Sequence, residues 1–504
     1  MRVQERAASW DPLLPANDPA TRALRRSLSL QLELMLASGG DERIWPDPVT
    51  GLNRYGAPVA PAAHQIWFSS STAAAPTLAG YRAAAEALAA LMGRPALPVH
   101  QWFEAIRGRI LRSFGIPGAE AILTASGTDA ELMVLAIARA LHGGPLTNLV
   151  VAPEETSEGI LHVAAGRHSL DSTPHFGVTE AGAPVDPALC RDVEVVKVAL
   201  RHADGRPRPA EEVDDEVLAR CAPLARSLLL HVVDRSKTGL SGPAPALARF
   251  IRDSMPDEVV VVVDASQLRC RSEEVRNHLE AGFIVLLTGS KFIGGAPFCG
   301  CVLLPPAIAD ALAEGDRKLV GLPAFCADLD APPRLRDAFA DGFGALANIG
   351  LGLRWTTALA ELDRYEAIDE TLRVAILARF AQEVDARAKT MSWLHRDVPS
   401  ATADLHCGIV TLRIDNAGRK HAVTLAARLR EPRPLVLGDA VCHVGDLASL
   451  GGQEALTICA SAPLVGGIAG RLASGLTFAT AFAPVTRDLD TLFRKCEAIE
   501  AATA

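Results

Sequence analysis

The chain has 504 residues, a net charge of −9 and an apolar fraction of 49%. This length suits two or three domains that share an interface, and the negative charge argues against nucleic acid or an anionic membrane surface as the main partner. No apolar run reaches the roughly 18 residues of a membrane span, the N-terminus lacks the apolar segment of a secretory signal, and the ten cysteines are scattered without a metal-ligand pattern, so we expect a cytoplasmic protein without a metal site.

Residues 1–65 are predicted to form an N-terminal arm, with one helix over Ala20–Ala37 followed by sequence rich in Pro and Gly. A short strand, a Ser/Thr cluster at Ser69–Thr72 and an alanine-rich helix come next. Clusters of this kind are typical helix caps.

The segment Ser126-Gly127-Thr128 is a tight turn between a strand, Ile122–Thr124, and a helix, Ala130–Leu141. A glycine turn at a helix N-terminus presents free N–H groups and the positive end of the helix dipole, which suits a phosphate. By itself the segment predicts only a good cap.

Two more buried strands end in polar residues. Leu149–Ala152 is followed by Glu155 and Thr156, and Leu228–Val233 is followed by Asp234, Arg235 and Ser236. The carboxyl ends of parallel strands border the ligand crevice of open α/β sheets, so these side chains are candidates for a site.

The most informative stretch is Val259–Gly300. Five valines predict a strand buried on both faces, which ends in Asp264 with Gln267 just beyond, and the run Phe283–Leu287 ends in Thr288-Gly289-Ser290-Lys291. Lysine provides seven of the 50 basic residues, so its position at a strand end before a Gly-rich turn is informative. It suits Schiff-base chemistry, which needs an amine that can lose its proton. Lys237 is the alternative lysine for a Schiff base.

After residue 306 the pattern changes to helices, Ala307–Gly315 and Ala347–Ala386, and then to short strands. The predicted strands are Ile409–Ile414, Pro434–Val436, Val441–Val444 and Leu456–Ala460. We therefore predict a large domain over 66–330 and a small C-terminal domain over 331–504.

The motifs DASQ and TGSK, followed by Gly-rich sequence and an apolar strand, resemble fold type I pyridoxal 5'-phosphate (PLP) enzymes, in the branch of class V aminotransferases and cysteine desulfurases. The resemblance implies an α/β fold with a large domain, whose mostly parallel seven-stranded sheet lies in an α/β/α sandwich, and a smaller α+β C-terminal domain. It also implies PLP as the cofactor.

The resemblance implies roles for individual residues. Lys291 would carry PLP as a Schiff base, Asp264 would pair with the pyridinium nitrogen, and Gln267 would contact the ring hydroxyl. The remaining cofactor contacts it implies are Ser126, Gly127 and Thr128 at the phosphate, Thr288 and Ser290 beside the lysine, Thr156 or Ser157 over the ring, and Arg235 or Ser236 near the ring hydroxyl.

The chain departs from the family pattern at two places. Glu155 and Thr156 stand where the family has a histidine stacked on the ring, with His162 and His168 further along. The late strand text ALTICAS lacks the arginine that holds a substrate carboxylate. Candidates for that anchor are Ser69–Thr72, Arg269, Arg354 and Arg471.

The resemblance implies an enzyme acting on an amino acid or related amine, with aminotransferase or C–C/C–S lyase chemistry. A decarboxylase and a non-catalytic scaffold are the alternatives. A cysteine desulfurase would need a cysteine on a mobile loop of the small domain, whereas Cys407 and Cys442 lie in strand-like sequence. We also expect a homodimer with composite sites, because the loop after Lys291 carries apolar residues that need cover. These are Phe292, Ile293, Pro297 and Phe298. The same chain's arm and small domain are the alternative cover.

Overall fold

The computed structural model describes residues 19–62, 64–156, 159–169, 179–221, 226–320, 322–340, 342–397, 408–415, 422–431, 440–445 and 449–501. Ser157, Cys407 and the predicted strand Pro434–Val436 lie outside these residues.

Seven strands form the central sheet, in the order β2-β8-β7-β6-β5-β3-β4. Only β8 runs antiparallel to its neighbours. The prediction of a mostly parallel seven-stranded sheet is confirmed. These strands are β2 (Glu120–Thr124), β3 (Leu146–Val151), β4 (Val193–Val198), β5 (Ser227–Val233), β6 (Val259–Ala265), β7 (Ile284–Thr288) and β8 (Gly300–Leu304).

The central strands are buried on both faces, as their valine and leucine runs require. One face carries a core shared with α2, α3, α9 and α11, and the other packs against α4 and α10. The α/β/α sandwich follows from this two-sided burial. The helices of this part are α1 (Pro19–Leu36), α2 (Leu78–Leu91), α3 (Val99–Phe114), α4 (Gly127–His142), α5 (Ile160–Ala164), α6 (Pro187–Cys190), α7 (Ala210–Cys221), α8 (Pro245–Ser254), α9 (Ser272–Glu280) and α10 (Pro306–Glu314).

The C-terminal part holds an antiparallel sheet in the order β12-β13-β10-β9, which agrees with the predicted mixture of helices and strands. Its strands are β9 (Leu394–Arg396), β10 (Ile409–Ile414), β11 (Val441–Val444), β12 (Ser449–Leu450) and β13 (Gln453–Cys459). Its helices are α11 (Ile349–Glu366), α12 (Glu370–Ala388), α13 (Ala422–Arg430), α14 (Ala462–Ala473) and α15 (Phe478–Ala501).

Two details differ from the sequence interpretation. The helical stretch 347–386 is two helices, because Asp369 caps α12 by accepting the N–H of Leu372. The strand β1 (Gln65–Phe68) pairs in parallel with β11, so the residues just before and after position 66 hydrogen-bond to the C-terminal part of the chain. The domain division at 66 and 330 stays a prediction.

The apolar loop after Lys291 is covered by the chain itself. Phe298 packs with Ile44 and Tyr55 of the arm, and the guanidinium of Arg43 lies 4.9 Å from the centre of its ring. Phe292 meets the edge of the Tyr365 ring from α11. This burial removes the reason given above for a homodimer, and the dimer itself stays a prediction.

Candidate cofactor site

The N-terminus of α4 offers donors that suit an anion, and we call Ser126, Gly127 and Thr128 the anion cradle. Ser126 caps the helix by accepting the N–H of Asp129. Within the described part of the chain, no acceptor bonds the N–H groups of Gly127 and Thr128. A Cβ added to Gly127 would lie 3.5 Å from Ser266 Oγ, in space that the glycine leaves open. Backbone N–H groups, a hydroxyl and a helix dipole are the donor set that suits a phosphate.

Two reactive side chains lie at the same edge of the sheet. Asp264 is on β6, and Lys291 follows β7, the parallel neighbour of β6, by three residues. The Asp264 carboxylate accepts the N–H of Ser266 at 2.9 Å, which fixes one of its oxygens. The structure thus brings Asp264 and Lys291 to the sheet edge at which α4 begins.

The two hydroxyl side chains just before Lys291 are hydrogen-bonded to neighbouring loops. Thr288 donates to the carbonyl of Ser266 at 2.6 Å, which links β7 to the turn after β6. Ser290 is hydrogen-bonded to Cys299, whose thiol pKa is raised to about 12 by burial. Their proposed contacts with a phosphate stay predictions.

Gln267 is held by the Ser69–Thr72 loop. Its amide donates to the carbonyl of Ser71 at 2.9 Å. Ser70 donates to the carbonyl of Ala460 at the end of β13, and Arg269 donates to Ser70 Oγ at 2.8 Å. The serine loop therefore joins the turn after β6 to the C-terminal part, and Gln267 has a fixed orientation.

Thr156 and Ser236 belong to a different set of contacts. Ser236 donates to the buried carboxylate of Glu155, which also accepts from Thr238 and from Arg201. Thr156 Oγ1 donates to the carbonyl of Pro153 at 3.2 Å. Glu155, in the position of the family's stacking histidine, is thus engaged by Arg201.

Arg201 extends this buried network to the C-terminal part of the chain. Its Nη1 lies 2.9 Å from Asp397 Oδ2, and Asp397 in turn accepts from Arg413 of β10 at 2.8 Å. We call Glu155, Arg201, Asp397 and Arg413 the Arg201 network. Sequence reasoning missed it, since its members lie far apart in the chain.

The three arginines considered for a substrate carboxylate all have backbone partners. Arg354 is fully buried and donates to the carbonyls of Leu36, Ser38, Gly39 and Phe298. Arg471 donates to the carbonyl of Ala481 and Arg269 to that of Ala460. Arg354 thus caps α1, and the anchor is not identified among these three.

Two more ionisable groups lie beneath Asp264. Glu131 of α4 and His231 of β5 are buried, with 3.5 Å between Glu131 Oε2 and His231 Nδ1. Sequence reasoning passed over both. A carboxylate inside an otherwise apolar helix and a histidine inside an apolar strand are the signals that could have found them.

Asp129 places a carboxyl in the first turn of α4. Burial raises its pKa to about 7, nearby Asp41 raises it further, and Arg43 opposes the shift. The anion cradle therefore has an acidic neighbour that changes charge near neutral pH.

No group of three or more metal-ligating side chains occurs among the described residues. Across the same ranges, the helices are too short or too polar to cross a bilayer.

Comparisons with known proteins agree on the fold. No protein-family profile and no curated protein sequence matches the chain. The cysteine desulfurase CsdA of Escherichia coli aligns over 86% of this chain and 94% of its own, with a TM-score of 0.54 and 14% identity. A NifS-like protein of Rickettsia africae aligns over 87% and 100% (TM-score 0.53, 11% identity), and a phosphoserine aminotransferase SerC of Cytophaga hutchinsonii over 80% and 95% (TM-score 0.50, 12% identity).

At these identities the likeness concerns architecture, and it covers nearly the whole length of each solved structure. The chain has the fold type I architecture of PLP-dependent enzymes, with the large parallel sheet and the smaller C-terminal part that its sequence predicted.

Proposed function

We propose that the protein is a PLP-dependent enzyme acting on an amino acid or related amine, with aminotransferase or C–C/C–S lyase chemistry. One observation carries this proposal: Lys291 and Asp264 follow neighbouring parallel strands at the sheet edge where the Gly127 cradle opens. A lysine, a carboxylate and an anion cradle are three separate requirements of this cofactor, and in this chain all three belong to the same edge of the sheet.

When bound, PLP supplies a ring that takes up the electron pair of the bond broken at the substrate Cα. Lys291 would hold the cofactor covalently through Nζ, and the N–H groups of Gly127 and Thr128 would bind its phosphate. Ser266 extends the phosphate donor set beyond the residues that the motifs indicated.

The other side chains of the site would orient the cofactor ring and would hold or move protons. Asp264, fixed by the N–H of Ser266, would keep a proton on the ring nitrogen. Gln267, fixed by Ser71, would bind the ring hydroxyl. Lys291 would carry the proton to and from the substrate carbon. Every cysteine that the structure describes is a free thiol, and this supports a cytoplasmic location for the protein.

Reduction of the PLP-loaded protein with borohydride tests the lysine assignment. Peptide mapping should find the reduced cofactor on Lys291, and Lys291→Ala should lose the label and the visible absorption band. Lys237→Ala is the matched control and should keep both. A label on Lys237, or on neither lysine, would overturn the assignment.

A screen of amines then tests the enzymatic part of the proposal. The visible band should shift when a substrate amine or amino acid is added, and the products will separate an aminotransferase or lyase from a decarboxylase. A protein that binds PLP at Lys291 but responds to no amine would be a non-catalytic scaffold.

A further inference from the structure

Three ionisable side chains lie on one face of the central sheet, against α4. Asp264 is on β6, and His231 is on the neighbouring strand β5, two residues before Val233, the partner of Asp264 in the parallel register. Since side chains alternate along a strand, His231, Val233 and Asp264 share a face. Glu131 reaches the same face from α4.

Glu131 and His231 have very little contact with water. Glu131 is 8% exposed and His231 is 4% exposed. Glu131 Oε2 lies 3.5 Å from His231 Nδ1. The other ring nitrogen, His231 Nε2, has no hydrogen-bond partner among the described residues.

Burial disfavours the charged form of both groups. Burial raises the pKa of Glu131 well above its ordinary value, and the nearby Asp264 carboxylate raises it further. Burial lowers the pKa of His231 to about 4, although Asp264 opposes the shift. A neutral carboxyl has one O–H to donate, and Nδ1 of a neutral imidazole accepts it only if the ring proton is on Nε2.

We propose that Glu131 and His231 are positioning residues for Asp264. Glu131 donates to His231 Nδ1 and holds the ring in its Nε2–H form, on the sheet face that also carries Asp264. The inference deepens the proposed function, because the charge of Asp264 is what would keep the cofactor nitrogen protonated.

Among the residues that the structure describes, the core around this part of α4 is mostly apolar. The elements β7, β8, α5 and α10 pack against α4 and contribute apolar side chains to this core. They include Ile284, Leu286, Val302, Val163 and Leu312. Among the described residues, His231 from β5 and Asp264 from β6 are the titratable groups that face Glu131, and Asp129 lies two residues earlier on α4.

Thermal unfolding of the protein without cofactor tests whether Glu131 is neutral. Its pKa is above 4.5 in the folded protein and near that value in the unfolded chain, so wild type loses stability as pH rises above 4.5. Glu131→Gln has no such loss, and its melting temperature should exceed that of wild type by a margin that grows from pH 5 to pH 8. A variant less stable than wild type throughout would mean that Glu131 is ionised, and the proposal would be wrong.

The tautomer of His231 is a second readout. In protein labelled with [15N]histidine, the resonances that disappear in His231→Asn identify this ring, and they should show the proton on Nε2 in wild type. Glu131→Gln, whose amide also donates, should keep that form, and Glu131→Leu should lose it. An unchanged tautomer in Glu131→Leu would reduce Glu131 to a packing role.

The link to the cofactor is measured with PLP labelled at its ring nitrogen. The 15N shift should report a protonated nitrogen from pH 6 to pH 9 in wild type and in Glu131→Gln, and a lost proton in Asp264→Asn. Loss of the proton in Glu131→Gln would overturn the inference. If neither wild type nor any variant binds PLP, the proposed function is refuted. The two tests that use the protein without cofactor would still decide the inference about Glu131 and His231.

Discussion

Asp129 makes the anion cradle sensitive to pH. Its pKa of about 7 leaves it mostly neutral at pH 6 and ionised at pH 8, when a negative charge faces the first turn of α4. Because a carboxylate repels the phosphate that the same turn would bind, PLP affinity should fall as pH rises through 7.

Asp129→Asn should remove this fall. We expect the variant to bind PLP about tenfold more tightly than wild type at pH 8, which is about 1.4 kcal/mol, and equally at pH 6. Titration of PLP by absorbance measures both affinities. Asp310→Asn, which removes an exposed carboxylate on α10, is the control and should follow wild type at both pH values. An advantage of Asp129→Asn that is the same at pH 6 and pH 8 would contradict the assignment.

Residues next to strand ends were predictable, and residues defined by distant partners were not. Asp264, Lys291 and Gly127 follow from local pattern, since each directly precedes or follows an apolar run. Ser236 was predicted near the cofactor from the same kind of signal, but its hydroxyl donates to Glu155, 81 positions away. Nothing in the sequence distinguishes Arg354 from the other arginines. Only the fold brings its guanidinium to the carbonyl groups at the end of α1.

At the scale of elements, the Arg201 network joins the sheet edge to the C-terminal strands. Arg201 bonds Glu155, the carbonyl of Gly205 and Thr238 and pairs with Asp397, with its side chain about 5% exposed. Lysine cannot replace this planar set of donors. Loss of the guanidinium would leave Glu155 buried without its cation and would leave Asp397 with Arg413 alone.

Arg201→Leu should therefore lower the free energy of unfolding by about 3–5 kcal/mol. Denaturant unfolding measures this change. Arg206→Leu is the matched control, because its ion pair with Asp204 is exposed and should contribute less than about 1 kcal/mol. Equal losses of unfolding free energy in the two variants would show that the buried network stabilises the fold no more than the exposed ion pair does.

Element boundaries show where sequence reasoning worked. The helix–strand order of the C-terminal part was evident from periodicity, and the cap at Asp369 was a readable signal for the break between α11 and α12. The pairing of β1 with β11 was not readable, because the register Gln65–Val441 spans most of the chain and neither strand signals its partner.

At the scale of the whole molecule, the surface of the arm now bears on the expected homodimer. The chain covers the loop after Lys291 itself, but the arm exposes large apolar side chains of its own. Five of the thirteen exposed large apolar side chains among the described residues lie on α1 or the segment after it: Leu30, Leu34, Met35, Trp45 and Val49. Leu30 and Leu34 are four residues apart, so they share one face of α1, and each is about 60% exposed. An apolar stripe of this kind is better explained by a partner surface than by water.

We therefore predict a homodimer in which the exposed face of α1 meets a second copy of the chain. Light scattering at low micromolar concentration should give about twice the 53.2 kDa of one chain. The double variant Leu30→Glu/Leu34→Glu should give the single-chain mass with an unchanged circular dichroism spectrum, because charges at an interface core are costly while charges on an exposed helix face are not. Phe250→Glu, at an equally exposed apolar position on α8, is the control and should remain a dimer. A wild-type protein with the mass of one chain, or a dimer that the control disrupts and the double variant does not, would rule out α1 as the interface.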